Sequence, residues 1–279
     1  MGGSGQGRQV GATSTGGPGG QTDQIEHRGR GVRLLGAAGA SAAAFHLLPS
    51  ALALGTWTSL RRAPGGLCHW RLARAESGSD GERGRSIALT FDDGPSEDST
   101  PHILDRLDRL GLSATFFCLG SMVDCSPELV GEIARRGHSI ATHGYSHEPH
   151  LLRSPLWVTR DLAAAKGSMA TAGAGVRWFR PPYGVVSGTT ILASRRLGMG
   201  IVLWSAWGRE WADPEPRAVA ERICRRLEPG AIVLLHDADS TSPPGTWKVT
   251  FEALGHIADE IHARGLETVS VDALADSPA

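Results

Sequence analysis

Residues 87–95 read Ile-Ala-Leu-Thr-Phe-Asp-Asp-Gly-Pro, a short apolar run that ends in two adjacent acids and a turn. The run Ile87–Phe91 has the length and the aromatic and β-branched content of a buried strand. The Gly-Pro that follows is ordinary turn chemistry, but a turn does not explain two carboxylates after an apolar strand. Asp92 and Asp93 are costly to place together unless a cation or a guanidinium group lies nearby. The stretch therefore predicts a strand whose carboxyl end carries a site for positive charge.

Further apolar runs alternate with helical patterns from this strand to the C-terminus. The predicted strands are Ile87–Phe91, Ala114–Cys118, Ser139–Thr142, Arg177–Phe179, Gly200–Trp204, Ala231–Leu235 and Glu267–Val271. The helical patterns between them are Pro101–Leu110, Pro127–Arg136, Pro155–Ala172, Pro216–Leu227 and Phe251–Arg264. Several of these helices begin with proline and end near glycine, as helix start and stop chemistry requires. The alternation predicts an α/β fold with a parallel sheet, and closure of seven strands gives a distorted (β/α)7-type barrel.

The carboxyl ends of the predicted strands carry polar side chains that could meet in one site. His143 and His147 follow the third strand, Arg180 follows the fourth and His236 follows the sixth. In barrels of parallel strands the reacting groups lie at this end. One Asp with two His is a ligand set that holds a catalytic divalent metal and leaves positions open for water and substrate. A His pair four residues apart is weak evidence alone, but agreement between strand ends favours a metal site.

These motifs resemble, in order and spacing, those of the polysaccharide deacetylase family, also called carbohydrate esterase family 4 or the NodB homology domain. The resemblance covers roughly Ser86–Val271. It implies that Asp93, His143 and His147 bind a divalent metal, most often zinc, with cobalt or another divalent ion in some related enzymes.

The resemblance also implies a role for each catalytic residue. Asp92 would be the general base that takes a proton from the attacking water, and Arg180 would hold Asp92 ionised and oriented. His236 would be the general acid for the departing amine, and a backbone N–H near Tyr183 would help to hold the oxyanion. The residues expected to contact the substrate are Pro182, Trp207 and Trp211. The two tryptophans could form an apolar wall for an acetyl group or sugar ring, or could simply pack in the core.

The segment that should hold the family's fourth motif departs from the common pattern. It reads Trp-Ser-Ala-Trp-Gly-Arg-Glu-Trp, with Trp207 at the earlier acidic position and Glu210 at the later one. In many family members an Asp of this motif tunes the catalytic histidine. Glu210, Asp237 and Asp239 are therefore all candidates for orienting His236.

The N-terminal third of the chain differs in composition from the rest. Residues 1–30 are rich in Gly, Ser, Gln and Arg, which predicts a disordered tail. Residues 31–63 form an apolar helical segment, and its part 34–60 has no charged residue. Because that run is mostly Ala and Gly, a packed helix, a membrane anchor and a cleaved signal all stay open. Residues 64–85 are a polar connector, and 86–273 form the predicted catalytic domain.

The charge balance and the motifs together limit the function. With 28 Lys+Arg against 29 Asp+Glu the chain has no basic field for nucleic acid, so a carbohydrate or a small N-acylated substrate is expected. The resemblance implies metal-dependent removal of N-acetyl groups from peptidoglycan, a chitin-type oligomer or a glycoconjugate. The alternatives are a deacylase of a small non-polymeric amide and a carbohydrate-binding pseudoenzyme. Localisation depends on residues 34–60: cytoplasmic if they pack, membrane-associated or extracytoplasmic if they span a membrane.

Overall fold

A computed structural model of the protein describes residues 82–276. The predictions for the tail, for the apolar segment 34–60 and for most of the connector lie outside the described residues. Within 82–276, none of the helices has the length and hydropathy needed to cross a membrane.

Strands and helices alternate through the described residues. The strands are β1 Ser86–Asp92, β2 Ala114–Cys118, β3 Ser139–Thr142, β4 Trp178–Phe179, β5 Gly200–Ile201, β6 Ala206–Trp207, β7 Ile232–His236 and β8 Glu267–Thr268. The helices are α1 Thr100–Leu110, α2 Gly120–Cys125, α3 Pro127–Arg135, α4 Pro155–Thr171, α5 Gly188–Arg196, α6 Pro216–Cys224, α7 Thr246–Ala263 and α8 Val271–Asp276. Short 3-10 turns cover Glu82–Arg85, His150–Leu152 and Pro182–Gly184.

The sheet is parallel throughout and curls until its two edges approach each other. Its order is β5-β4-β3-β2-β1-β7-β6, and β8 pairs with the start of β1. Strands β5 and β6 stand at opposite ends of that order, yet only residues 202–205 join them. A link this short spans less than about 20 Å, so the edges must lie close together. The curled sheet with its helices confirms the predicted barrel class.

Two of the predicted strands end earlier than the sequence indicated. The predicted strand Gly200–Trp204 is a strand only in its first two residues, and β6 is a separate strand on the opposite edge. The backbone between them is drawn inward, because the carbonyl oxygens of Val202 and Leu203 accept hydrogen bonds from the Arg180 guanidinium at 3.3 and 3.2 Å. The last predicted strand, Glu267–Val271, ends after two residues, and its final residue begins α8.

Alternation along β1 separates the core from the site. Ile87 and Phe91 belong to the cluster that packs the sheet against the helices, whereas Ala88 belongs to a smaller cluster on the other face. Thr90 and Asp92 follow Ala88 at intervals of two, so they share its face. The strand is buried along nearly its whole length. Its apolar side packs toward the helices, and its polar residues Thr90 and Asp92 lie on the other face.

Candidate active site

A buried ion pair lies at the carboxyl end of β1. Arg180 comes from the end of β4, and its guanidinium is 2.7 Å from Asp92 Oδ1. The same guanidinium donates to Thr90 Oγ1 at 2.7 Å and lies 4.0 Å from the centre of the Phe117 ring. Arg180 is fully buried, and burial lowers its pKa although the Asp92 charge opposes that shift. Because all three guanidinium nitrogens donate hydrogen bonds, the group is held in place and fixes the Asp92 carboxylate in one orientation.

Asp93, His143 and His147 converge beside this pair. Their three ligand atoms lie within 4.8 Å of one another, and both histidine Nε2 atoms are 3.6 Å from Asp93 Oδ1. That oxygen is buried and has no hydrogen-bond donor among residues 82–276. His143 Nδ1 is 2.8 Å from the Arg180 carbonyl oxygen. An Nδ1–H there must donate to the carbonyl, which leaves the Nε2 lone pair facing Asp93.

The protonation of these groups suits a cation. Burial works against ionisation of Asp93, but the surrounding histidines and the Thr241 hydroxyl lower its pKa below the usual value. Burial, reinforced by the nearby His143, lowers the pKa of His147 to about 4. At neutral pH, Asp93 is therefore a carboxylate and His147 a neutral imidazole. An unpaired buried carboxylate oxygen facing imidazole nitrogens is the donor set that a divalent metal satisfies, so these residues fit the predicted metal.

His236 ends β7 and faces the same point from the opposite side. Its Nδ1 is 2.7 Å from Glu210 Oε1, and its Nε2 is 3.9 Å from Asp93 Oδ2. Burial would lower the pKa of His236, but the charge and hydrogen bond of Glu210 raise it to about 9. The imidazole is therefore protonated at neutral pH, with one N–H held by Glu210 and the other directed into the site.

Asp237 and Asp239, the other two candidates for orienting His236, contact different groups. Asp237 is buried and accepts a hydrogen bond from Thr100 Oγ1 at 2.5 Å, and burial raises its pKa to about 7. Asp239 accepts the backbone N–H groups of Gly245 and Trp247 at 2.5 and 2.8 Å, at the start of α7. Of the three acids, the geometry places Glu210 against His236.

A pocket of about 290 Å³ opens onto these groups. Its lining combines acids and histidines with three tryptophans and Leu234. Its lining comprises Asp92, Asp93, His143, His147, Tyr183, Trp204, Trp207, Trp211, Leu234, His236, Thr241, Ser242 and Pro243. Trp211 packs its ring edge-on to His236 at 5.4 Å and stacks on Trp207 at 5.0 Å. The two tryptophans predicted to contact substrate thus line the pocket next to the protonated histidine.

The comparison with known proteins decides the family. Residues 79–202 match the family model described as polysaccharide deacetylase. The chitooligosaccharide deacetylase of Bradyrhizobium sp. is 35% identical over 195 residues, which are 66% of this chain and 87% of that protein. This chain belongs to the polysaccharide deacetylase family.

Two other relatives extend the likeness. The peptidoglycan-N-acetylglucosamine deacetylase of Bacillus cereus is 32% identical over 191 residues, 67% of this chain and 87% of that protein. The crystal structure of wild-type BA3943, a CE4 family pseudoenzyme from Bacillus anthracis, is 25% identical with a TM-score of 0.63. It covers 69% of this chain and 66% of that chain. Since the polysaccharide deacetylase fold occurs with and without activity, the side chains of the site carry the functional argument.

Two of the residues predicted to belong to the site of this polysaccharide deacetylase, Pro182 and Tyr183, lie in the turn after β4. Tyr183 has a left-handed backbone (φ 58°), is 61% exposed, and its ring centre is 4.5 Å from that of His147. It lines the pocket. The oxyanion role of a backbone N–H near Tyr183 stays a prediction. Pro182 is buried and is not among the described residues that line the pocket. Its contact with substrate stays a prediction.

The sequence missed one segment that contacts Asp93. Thr241 donates its hydroxyl to Asp93 Oδ2, and Ser240 Oγ donates to the Asp93 carbonyl oxygen at 2.8 Å. Asp93 itself has a positive φ of 79°, a conformation rare for a residue with a side chain. Ser240 and Thr241 both lie in the Pro- and Gly-rich loop that directly follows His236. The sequence does not indicate which side chains of this loop would contact Asp93.

Proposed function

We propose that this polysaccharide deacetylase hydrolyses the N-acetyl amide of an amino-sugar carbohydrate, with zinc held by Asp93, His143 and His147. The observation that carries the proposal is the arrangement of His236 and Asp92 around Asp93: an imidazolium held by Glu210 and a carboxylate held by Arg180 face one metal-ligand set. A base and an acid placed about one point are what amide hydrolysis requires. The bound zinc supplies Lewis acidity that polarises the acetyl carbonyl and lowers the pKa of water.

Asp92 is suited to accept the proton of the attacking water. Its Oδ1 is engaged by Arg180, while Oδ2 lies 3.7 Å from His143 Nε2 and faces the pocket. The guanidinium holds Oδ1 and so opposes rotation of the carboxyl group when Oδ2 takes the proton. Asp92 thus acts with one oxygen and is anchored by the other.

His236 is suited to release a proton to the departing nitrogen. The water oxygen first bonds to the acetyl carbon while Asp92 takes a water proton, which gives a tetrahedral oxyanion. The carbon–nitrogen bond then breaks, and the amine leaves with the Nε2 proton of His236. Glu210 stabilises the imidazolium beforehand and keeps the ring aimed at the site. The products are acetate and a free amino sugar. The backbone N–H of Tyr183 is proposed to donate to the oxyanion, with Trp207 and Trp211 against the acetyl group or sugar ring.

The substrate class is proposed from the relatives and the pocket. The two named enzyme relatives act on chitooligosaccharide and on the N-acetylglucosamine of peptidoglycan. The pocket has an aromatic wall, which suits the apolar face of a pyranose ring. The likeness to BA3943 makes a carbohydrate-binding pseudoenzyme the second candidate. The complete set of base, acid and metal ligands supports turnover against that candidate.

Acetate release separates these functions. The substrates are N-acetylglucosamine oligomers of increasing length, peptidoglycan and small N-acetylated amides, each assayed with added zinc and with chelator. We expect zinc-dependent release from acetylated sugars and a rise in rate with oligomer length. Release only from small amides would show that the protein is a deacylase of small amides and not of carbohydrates. Sugar binding without any release would establish the pseudoenzyme.

A further inference from the structure

The two histidine ligands are held in different ways. His143 is fixed by the contact of its Nδ1 with the Arg180 carbonyl oxygen at 2.8 Å. His147 Nδ1 is buried and has no hydrogen-bond partner among the residues described. A histidine ligand usually donates its second ring N–H to an outer partner that sets the direction of the ring. Without such a partner, the direction of His147 depends on its ring contacts with Tyr183 and His143 and on the backbone of the segment that carries it.

That backbone is held by a carboxylate from a neighbouring helix. Asp161, on α4, accepts the N–H of Tyr145 at Oδ2 and the N–H of Ser146 at Oδ1, both at 3.0 Å. It also accepts the Ser146 hydroxyl at 2.7 Å. Two consecutive amides and a hydroxyl on one carboxylate fix the turn immediately before His147. Charged acceptors make such hydrogen bonds shorter and stronger than neutral ones.

The carboxylate is itself immobilised from behind. Asp161 is 6% exposed, and the Nε2 of the fully buried His150 lies 3.7 Å from its Oδ2. The other nitrogen of His150 is 3.1 Å from Thr190 Oγ1, and its ring stacks on Phe179. Burial would raise the pKa of Asp161, but the nearby His150 and the hydrogen bonds from Ser146 and the backbone lower it. The acceptor therefore stays ionised and cannot swing away from the turn.

The sequence of the ligand segment fits this contact. Gly144 has a φ of 90°, and a Cβ added there would stand 3.0 Å from Asp161 Oδ2. Glycine thus meets two demands at once: the left-handed backbone and the close approach of the carboxylate. A side chain at this position would have to displace the acid that binds the next two residues.

We propose that Asp161 is a positioning residue for the metal centre, which holds the Tyr145–Ser146 turn so that His147 Nε2 faces Asp93. The proposal rests on the metal-dependent function proposed above. Asp161 touches neither the metal ligands' nitrogen atoms nor the substrate pocket, so it acts through the backbone. Removing it is expected to weaken metal binding without altering the ligands themselves.

The test is the zinc dissociation constant of the full-length chain, measured by competition with a chromophoric chelator. Asp161→Asn keeps the shape but replaces one acceptor oxygen with an NH2 group that opposes a backbone N–H. We expect zinc affinity about 10- to 100-fold lower, the range found when outer partners of metal ligands are removed. Ser146→Ala removes only the hydroxyl bond, and we expect a smaller loss in the same direction. The control is Asp105→Asn, whose carboxylate binds Arg136 on the surface and should leave zinc affinity unchanged.

A cobalt spectrum provides a second readout. If Asp161 positions His147, the visible absorption of the cobalt-loaded Asp161→Asn protein should differ from that of the parent, because the ligand geometry has changed. Should Asp161→Asn fail to fold, Ser146→Ala carries the same test. Parent-like zinc affinity and cobalt spectra in the folded variants, beside tight binding by the parent, overturn this inference alone. No zinc binding by the parent overturns both this inference and the proposed function.

Discussion

Replacing Arg180 by methionine should destabilise the protein far more than replacing an exposed arginine. The Arg180 guanidinium is fully buried and is the partner of Asp92, whose side chain is only 3% exposed. Methionine retains an unbranched apolar side chain over the Phe117 ring but removes the charge and all the N–H donors. Asp92 would then be buried without a counter-charge, and the carbonyl oxygens of Val202 and Leu203 would lose their donor.

The expected cost follows from that geometry. Breaking a buried ion pair by removing one partner costs about 3–5 kcal/mol, mostly because the remaining charge is uncompensated. A typical domain has only about 5–15 kcal/mol of stability, so Arg180→Met should remain folded but be strongly destabilised. If the uncompensated charge is the cause, adding Asp92→Asn should recover about half of the loss or more. Neither protein should release acetate: the double variant lacks the proposed base, and Arg180→Met leaves Asp92 without the guanidinium that orients it.

Urea unfolding of the chelator-treated protein, followed by tryptophan fluorescence, measures these free energies. The matched control is Arg153→Met, since Arg153 pairs with Glu148 at 2.8 Å with both side chains about 40% exposed. Exposed pairs contribute about 1 kcal/mol or less. The reasoning is refuted if Arg180→Met costs no more than Arg153→Met, or if Asp92→Asn deepens the destabilisation of Arg180→Met.

Three further substitutions probe the pocket. In Glu210→Gln, His236 loses the neighbouring charge that raises its pKa to about 9. Because a general acid must be protonated to act, the alkaline limb of the kcat/KM profile should move down by roughly two pH units. An alkaline limb at the parent's pH would contradict this role. Thr241→Val removes the donor to Asp93 Oδ2 and should weaken zinc binding about tenfold by chelator competition, whereas Thr241→Ser should bind like the parent. Trp207→Ala removes part of the aromatic wall and should lower kcat/KM for an acetylated sugar about 10- to 100-fold; parent-like kinetics would make Trp207 a packing residue only.

The proximity of Asp93, His143 and His147 could be predicted from the sequence because it follows from strand order and direction. Asp93 follows β1, and His143 and His147 follow β3, two strands away in the same parallel sheet. The carboxyl ends of parallel strands share one edge of the sheet, so these side chains are expected to lie close together for many different loop conformations. His236 reaches the same edge from β7, the other neighbour of β1.

Features set by side-chain direction could not be predicted in this way. Glu210, Asp237 and Asp239 are all close to His236 in the sequence or in the family's motif, and only the three-dimensional path of each loop separates them. The break after β5 has a similar cause, because the Arg180 side chain takes carbonyl oxygens that a continuous strand would have offered to a neighbour. Asp161 lies on a helix well after His147, with nothing in its surroundings in sequence to mark it.

The zinc requirement of acetate release tests the account most directly. The chain is stripped with chelator and then titrated with zinc while acetate release from an N-acetylglucosamine oligomer is followed, in parallel with Asp93→Ala. We predict no release by the stripped protein, full recovery at one zinc per chain, and no recovery by Asp93→Ala at that stoichiometry. Unchanged release by the stripped protein, or parent-like recovery by Asp93→Ala, would contradict a hydrolase built on Asp93, His143 and His147.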